Sequence, residues 1–305
     1  MTAASPDELT APAPRAPFIR ERCAMFWLAV LFSLTAIAPS LVRAMRPAFV
    51  RLAFAFSPKI RRNTRLNARR LGIEPADCRP FGLAVVGSFY DFVYDIGRSI
   101  GKTRDQMAAR VHSIEGADLY LAARAAHRGA VLLTAHMGSF EAGLAALPIA
   151  EKRVHVVFKR DRLAGFEKLR RTLREQLNVT EAPIDDGWAV WMRLREALLN
   201  DEVVAVQGDR VMPGQKGLRV PLLAGTIELP TGPFKLALSA ESPVIPIFSV
   251  RQPDGTVRIL IRDAIHVSGD ANGIEHGVRS FALVLAQQLA DHPEQWLVLD
   301  EAFCG

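Results

Sequence analysis

Two residues, His136 and Glu141, have the types and the spacing of a general base and its acidic partner. They lie in HMGSFE (136–141), directly after the apolar run AVLLTA (130–135). On a continuous helix, residues five apart point about 140° away from each other. The two side chains therefore meet only if His136 precedes a helix and the chain turns at Gly138. In that arrangement Glu141 accepts the ring N–H of His136, fixes its tautomer and stabilises the imidazolium form.

A simpler interpretation also fits this motif. H-x-x-x-x-E is short and occurs by chance, so His136 can equally be a loop histidine and Glu141 an ordinary residue of a first helical turn. If a helix does follow Gly138, its first backbone N–H groups suit an oxyanion or a phosphate. The other histidines show no H-x-H or H-E-x-x-H spacing, which predicts no metal site.

Two further charged pairs are candidates for binding a substrate. Lys159 and Arg160 can contact a phosphate or carboxylate group, although a solvated basic end of a strand has the same pattern. Asp209 can orient a substrate amine or hydroxyl, or can simply pair with Arg210.

The elements that must position these residues alternate between strands and helices. Strands are predicted at 130–135, 153–160, 202–209, 243–250 and 256–263, and helices at 81–100, 104–111, 139–150, 164–178, 188–201, 231–241 and 275–290. The strands are short and mostly apolar, which is typical of strands buried on both faces. The pattern predicts an α/β fold with a mostly parallel central sheet flanked by helices. At the carboxyl ends of such strands, the polar residues after 135, 158 and 207 gather at one edge.

Composition excludes several classes of protein. Half of the 305 residues are hydrophobic, which excludes an intrinsically disordered chain. The three cysteines, Cys23, Cys78 and Cys304, are far apart and odd in number, so neither a disulfide framework nor a zinc-ribbon site is expected.

The net charge of +6 is concentrated in one segment, residues 43–70, which we call the basic collar. It contains nine basic residues and no acidic one, whereas residues 1–42 balance and residues 71–305 carry a net charge of −3. The collar adjoins an apolar segment and lacks interleaved aromatic residues for stacking bases, which argues against nucleic acid as a partner. It is suited to an anionic membrane surface or to an acidic carrier protein.

An uncharged run of 19 residues, 24–42, precedes the collar. Its length just suffices to cross a bilayer, and basic residues after such a segment are kept on the cytoplasmic side. We therefore expect a disordered tail (1–22), an apolar membrane anchor with the basic collar (23–70) and a single α/β domain (71–305), the last on the cytoplasmic face of the inner membrane. Two alternatives stay open: a cleaved signal peptide ending in AIA (36–38), and a buried core helix.

Four blocks in order carry a resemblance to a known family. They are AVLLTAHMGSFEAG, VVFKRDRLAGFEKLRR, the long segment from VAVQGDR to SPVIPIF, and HPEQWL. Together they resemble the late acyltransferases of bacterial lipid A biosynthesis, over about residues 25–300. The segment KGLRVPLLAG…PTGPFKLA (216–237) is the most specific part of the resemblance.

The resemblance implies a membrane-anchored enzyme that moves a fatty acyl chain from a thioester, on acyl carrier protein or coenzyme A, to a lipid hydroxyl without a cofactor. His136 and Glu141 match the catalytic pair of that family. Lys159 stands where the family usually has an arginine, with Arg160 beside it. Asp209 matches an acidic residue, and Thr231 and Gly232 match the turn that opens the next helix.

The acceptor stays open. HPEQWL is followed by the acidic Asp300 and Glu301, where the family commonly ends in basic residues, and phosphates prefer cations. A lipid A precursor, another glycolipid, a lysophospholipid and an aminolipid are all candidates. A hydrolase that releases the acyl chain to water, and a lipid-binding protein without catalysis, are the competing functions.

Overall fold

The computed structural model describes Phe32, Leu34, Thr35 and residues 37–160, 164–212 and 214–304. The expected tail 1–22 and most of the apolar run 24–42 lie outside these residues.

A seven-stranded sheet forms the centre of the fold. Its strands are β1 (Val111–Glu115), β2 (Ala130–Thr134), β3 (Val154–Phe158), β4 (Thr180–Pro183), β5 (Val203–Gln207), β8 (Val244–Arg251) and β9 (Val257–Ile261), and β6 (Gly217–Leu222) and β7 (Gly225–Pro230) form a separate hairpin. The spatial order is β1-β9-β8-β2-β5-β3-β4. Each neighbouring pair is parallel except β8 and β9, which are antiparallel. The prediction of a mostly parallel central sheet is confirmed.

Helices flank the sheet. They are α1 (Pro39–Phe56), α2 (Pro58–Arg70), α3 (Cys78–Ser99), α4 (Arg104–Ala108), α5 (Ala117–Arg124), α6 (Phe140–Ala150), α7 (Ala164–Leu177), α8 (Trp188–Leu199), α9 (Gly232–Ser239) and α10 (Gly273–Asp291). Short 3-10 turns occupy Ile184–Asp186 and Pro293–Gln295.

Alternation along β2 shows how the sheet is buried on both faces. Val131 and Leu133 join the larger apolar cluster, which α8, α9, α10 and the hairpin complete. Ala130 and Leu132 point the other way, into a cluster with residues of α5 and α6. Successive side chains of a strand point to opposite faces. A continuous apolar run is therefore what a strand between two helical layers requires.

Three parts of the β-structure differ from the sequence prediction, namely two edge strands and the separate hairpin. The helix predicted at 104–111 ends at Ala108, and β1, β4 and the β6–β7 hairpin were not predicted. β1 and β4 are edge strands of four or five residues with exposed positions, so they lack the apolar run that marks the central strands. A turn at residues 253–255 joins the antiparallel strands β8 and β9, and Gly255 within it has a φ of +90°.

The basic collar folds into α1 and α2, which both pack on α3. The run 24–42 does not continue as one helix, because Ala38 is non-helical and α1 begins at Pro39. Proline lacks the N–H that would extend an incoming helix, but its fixed φ suits a first helical position. Within the described residues, no helix combines the length and the apolar character that crossing a bilayer requires.

Candidate active site

His136 and Asp209 lie side by side at the carboxyl ends of the neighbouring strands β2 and β5. Thr134 pairs with Gln207 at the end of the ladder, and the Gly208 N–H donates to the Thr134 carbonyl at 2.8 Å. His136 and Asp209 each come two residues after that last pair. Their side chains meet, with 2.7 Å between His136 Nδ1 and Asp209 Oδ1.

The Asp209 carboxylate is held in its charged form. Its side chain is fully buried, and burial alone raises the pKa of a carboxyl group. The charge and the hydrogen bond of His136 oppose that effect, with help from Arg210 and the Trp296 indole, and the net pKa of Asp209 falls below its ordinary value. Trp296 Nε1 donates to Asp209 Oδ2 at 2.9 Å. Both carboxylate oxygens are therefore occupied by donors.

This pairing decides the tautomer of His136. A charged carboxylate only accepts hydrogen bonds, so the proton of a neutral His136 resides on Nδ1. The lone pair is then on Nε2, and 31% of the His136 side chain is exposed. An imidazole oriented by a buried carboxylate, with its other nitrogen open, can remove a proton from a bound hydroxyl.

Glu141 does not occupy the position expected from the sequence. The bond to His136 Nδ1 is made by Asp209, and Glu141 Oε2 is buried without a hydrogen-bond partner in the described part of the chain. Burial raises the pKa of the Glu141 carboxyl to about 7. Glu141 does lie in the first turn of α6, as expected, but Asp209 is in register with His136 on the adjacent strand and already occupies Nδ1.

We predict that Glu141→Gln stabilises the protein at pH 8 but has little effect at pH 5. The unfolded carboxyl loses its proton near pH 4.5, whereas the folded one keeps it until about pH 7. Raising the pH through this window therefore favours the unfolded state of the wild type, by up to about 3 kcal/mol, and leaves the amide variant unaffected. Urea unfolding at both pH values measures this, with the exposed Glu175→Gln as the control. An equal difference at both pH values would contradict it.

The loop between β2 and α6 is held by the segment that follows α10. The Gly138 N–H donates to the Gln295 carbonyl at 3.1 Å, and the Leu297 N–H donates to the His136 carbonyl at 2.8 Å. Gly138 has a φ of +56°, which confirms the predicted turn. A methyl group there would lie 2.1 Å from the Ser249 carbonyl oxygen, so glycine is required at this position.

A second set of contacts connects the start of α6 to α3. Ser139 Oγ donates to the buried carboxylate of Asp95 on α3 at 2.8 Å. The same Asp95 oxygen accepts from Arg110 at 2.7 Å and from Arg251 at 3.0 Å. The Ser139 side chain is therefore turned away from the helix end. Within the described residues, no hydrogen bond occupies the N–H groups of Ser139 and Phe140.

The other residues predicted to bind substrate, all within the described chain, do not hydrogen-bond to His136. Arg210 donates to the Leu297 carbonyl at 2.6 Å, so it supports the loop after Trp296. Lys159 is half-buried at the end of β3, one strand beyond β5. Arg160 is exposed, and its two terminal nitrogens contact Asp186 at 2.6 and 3.2 Å.

Thr231 and Gly232 open α9, as the sequence predicted. The hydroxyl and the N–H of Thr231 both donate to the Lys216 carbonyl at 3.1 Å. Neither Thr231 nor Gly232 is hydrogen-bonded to His136 or Asp209 in the described chain.

Sequence reasoning missed Trp296, Gln295 and Asp95. The first two belong to HPEQWL, which marked the resemblance but indicated no role for either side chain. The signal for Asp95 was an acidic residue within an otherwise apolar helical pattern. The signal for the His136–Asp209 pair was the equal distance of both residues from the ends of two buried strands.

Comparison with known proteins gives one match over almost the entire chain. A family model described as bacterial lipid A biosynthesis acyltransferase matches residues 18–304, which include His136, Asp209 and Trp296. No curated protein matches the chain.

Proposed function

Because the chain belongs to the bacterial lipid A biosynthesis acyltransferase family, we propose that it transfers a fatty acyl chain from a thioester to a hydroxyl group of a glycolipid. The observation that carries this proposal is the 2.7 Å contact between His136 and the buried, charged Asp209. A hydroxyl is a weak nucleophile and needs a base as it attacks.

In the proposed reaction, His136 Nε2 takes the proton from the acceptor hydroxyl while its oxygen attacks the thioester carbonyl. The new C–O bond gives a tetrahedral oxyanion. When the C–S bond breaks, the imidazolium returns the proton to the leaving sulfur, so the base is regenerated. Asp209 stabilises the imidazolium throughout because its carboxylate faces Nδ1.

The start of α6 is our candidate for the oxyanion site. Its first N–H groups point out of the helix end, where the helix dipole is positive. Donors fixed in advance at a developing negative charge are often the largest contribution to catalysis. We propose that Glu141 supports this end of α6 from its buried position rather than through the imidazole of His136.

We further propose that the reaction takes place at the inner face of the cytoplasmic membrane. Support comes from an apolar stripe along α1, in which each side chain is more than half exposed: Leu41, Met45, Phe49, Leu52 and Phe56. The spacing of three or four residues places them on one face of the helix. An exposed apolar stripe beside basic residues is typical of helices that lie in a membrane interface.

A phosphorylated lipid A precursor is our first choice of acceptor, with another glycolipid or an aminolipid as the alternative. The negative charge of Asp300, which would disfavour a phosphorylated acceptor, is partly neutralised, because Lys59 Nζ lies 2.6 Å from Asp300 Oδ1. The donor is an acyl thioester of carrier protein or of coenzyme A.

To test the proposal, the purified protein is incubated with each thioester, with and without a glycolipid acceptor, and the products are identified by mass spectrometry. We expect a glycolipid with one additional acyl chain. Thioester cleavage at the same rate without acceptor would identify a hydrolase. Lipid binding without turnover would identify a binding protein.

A further inference from the structure

A second, cationic site lies between α1, α2 and α3, away from the residues described above. It is a groove with a volume of about 580 Å³. Five arginines line it: Arg51, Arg61, Arg65, Arg69 and Arg79. We call it the arginine groove.

No carboxylate balances these charges among the residues that line the groove. The acidic residues Glu74 and Asp77 precede α3, but neither of them contributes to the lining. None of the five arginines forms an ion pair with a carboxylate in the described residues.

The arrangement on α2 is unfavourable without an anion. Arg61, Arg65 and Arg69 recur every four residues, so they share one face of the helix, where like charges repel. Arg61 is fixed in place because it donates to the carbonyl groups of Phe54 and Ala55 at the end of α1. A guanidinium held by the backbone, next to the exposed guanidinium groups of Arg65 and Arg69, is suited to a ligand with several anionic oxygens.

The position of the groove separates it from the site of transfer. Arg79 is in the first turn of α3 and Asp95, which contacts the α6 start, is in the last part. Sixteen residues of helix put these two positions about 24 Å apart. The groove is therefore a different site from the His136 cleft.

The apolar stripe of α1 indicates where the ligand comes from. Arg51 directly precedes Leu52 and Ala55 directly precedes Phe56, so the groove opens about 100° around α1 from the stripe. A membrane that receives Leu52 and Phe56 brings its head groups to the mouth of the groove. The groove also has an apolar side, formed in part by Phe54, Pro75 and Leu83.

We propose that the arginine groove binds the phosphate head group of an anionic phospholipid and thereby orients the enzyme on the bilayer. This inference rests on the proposed function in one respect, which is that the enzyme acts at a membrane. The bound lipid is neither donor nor acceptor, since the groove is remote from His136.

The test compares the wild type with Arg65→Gln/Arg69→Gln in sedimentation with phosphatidylcholine vesicles, with and without phosphatidylglycerol. We chose these two arginines because they are exposed and their side chains make no hydrogen bond within the described chain. Each basic residue near an anionic surface strengthens binding roughly fivefold, so the double variant should bind phosphatidylglycerol vesicles about 30-fold more weakly. Binding to phosphatidylcholine alone should not change.

The matched control is Arg193→Gln/Arg219→Gln, which removes the same charge from exposed positions on α8 and β6. Equal losses in both double variants would show a response to net charge alone and would overturn the proposal. Unchanged vesicle binding with weaker binding of an acyl carrier protein would also overturn it, because the groove would then bind a protein.

Acyl transfer in neutral detergent micelles separates this proposal from the proposed function. Without anionic lipid, the groove variant and the wild type should transfer at the same rate. If neither protein transfers acyl chains, the proposed function fails and the vesicle result still decides the groove. A loss confined to the groove variant in micelles would place the arginines in the reaction itself and overturn the proposal.

Discussion

Replacing His136 by alanine is expected to lower kcat/KM for acyl transfer by about 10²–10⁴-fold, the usual contribution of a general base. The residual rate would come from substrate binding and from the N–H groups at the start of α6. A moderate loss of stability, about 1–3 kcal/mol, is also expected, because the fully buried Asp209 carboxylate loses one of its two donors.

Initial rates with saturating thioester and varied acceptor measure this effect, and thermal unfolding shows whether the variant is folded. His266→Ala is the matched control, because His266 is exposed and far along the chain from the site. A folded His136→Ala variant with wild-type turnover would refute the role of His136 as the base.

Asp209→Asn is expected to lower kcat on the order of 10³-fold while KM changes little. Two effects combine: the negative charge that stabilises the imidazolium is lost, and the amide can donate to Nδ1 and thereby move the proton to Nε2. With its proton on Nε2, the imidazole is no longer a base towards the acceptor. If Asp209 only maintained the structure of the site, its replacement would also raise KM.

The same substitution also changes stability in a pH-dependent manner. The charge-assisted hydrogen bonds from His136 and Trp296 to the carboxylate are replaced by neutral ones, which are about half as strong, so the variant is expected to lose about 1 kcal/mol of stability. The pKa of Asp209 is lower in the folded than in the unfolded protein. Its carboxylate therefore stabilises the wild type fully above the unfolded pKa, and this contribution decreases as the pH falls from the unfolded towards the folded pKa.

Unfolding at pH 7 and at lower pH, together with steady-state kinetics, tests both expectations. The difference in stability from wild type should be larger at pH 7. Asp118→Asn, an exposed position in the first turn of α5, serves as the control. A normal kcat in Asp209→Asn would show that Asp209 does not orient or stabilise the base during acyl transfer.

The central part of the fold was predictable because its strands are unambiguous. AVLLTA and EVVAVQGD are short apolar runs that end in polar residues, and periodicity places them correctly as β2 and β5. The edge strands β1 and β4 carry no such signal, since they are short and mix polar with apolar and exposed with buried residues. Sequence patterns report burial, so they identify the centre of a sheet better than its edges.

The site was predictable in its base but not in the partner of that base. Glu141 is close to His136 along the chain, so local spacing favoured it, whereas the equal distance of His136 and Asp209 from two strand ends indicates a contact only once those strands are known to be neighbours. Asp209 is 73 residues away, and the contact depends on β2 and β5 being neighbours with Thr134 opposite Gln207. Strand order within a sheet is a long-range property, and no feature of either segment encodes it.

The backbone contacts of the loop at Gly138 have a consequence for biosynthesis. Gln295 and Leu297, which hold this loop, and Trp296, which holds Asp209, are synthesised some 160 residues after His136, about 8–30 s later at usual translation rates. Until then, the growing polypeptide has neither the anchored loop nor the oriented imidazole. A nascent chain that does not yet contain residues 295–297 is therefore expected to be inert towards thioesters.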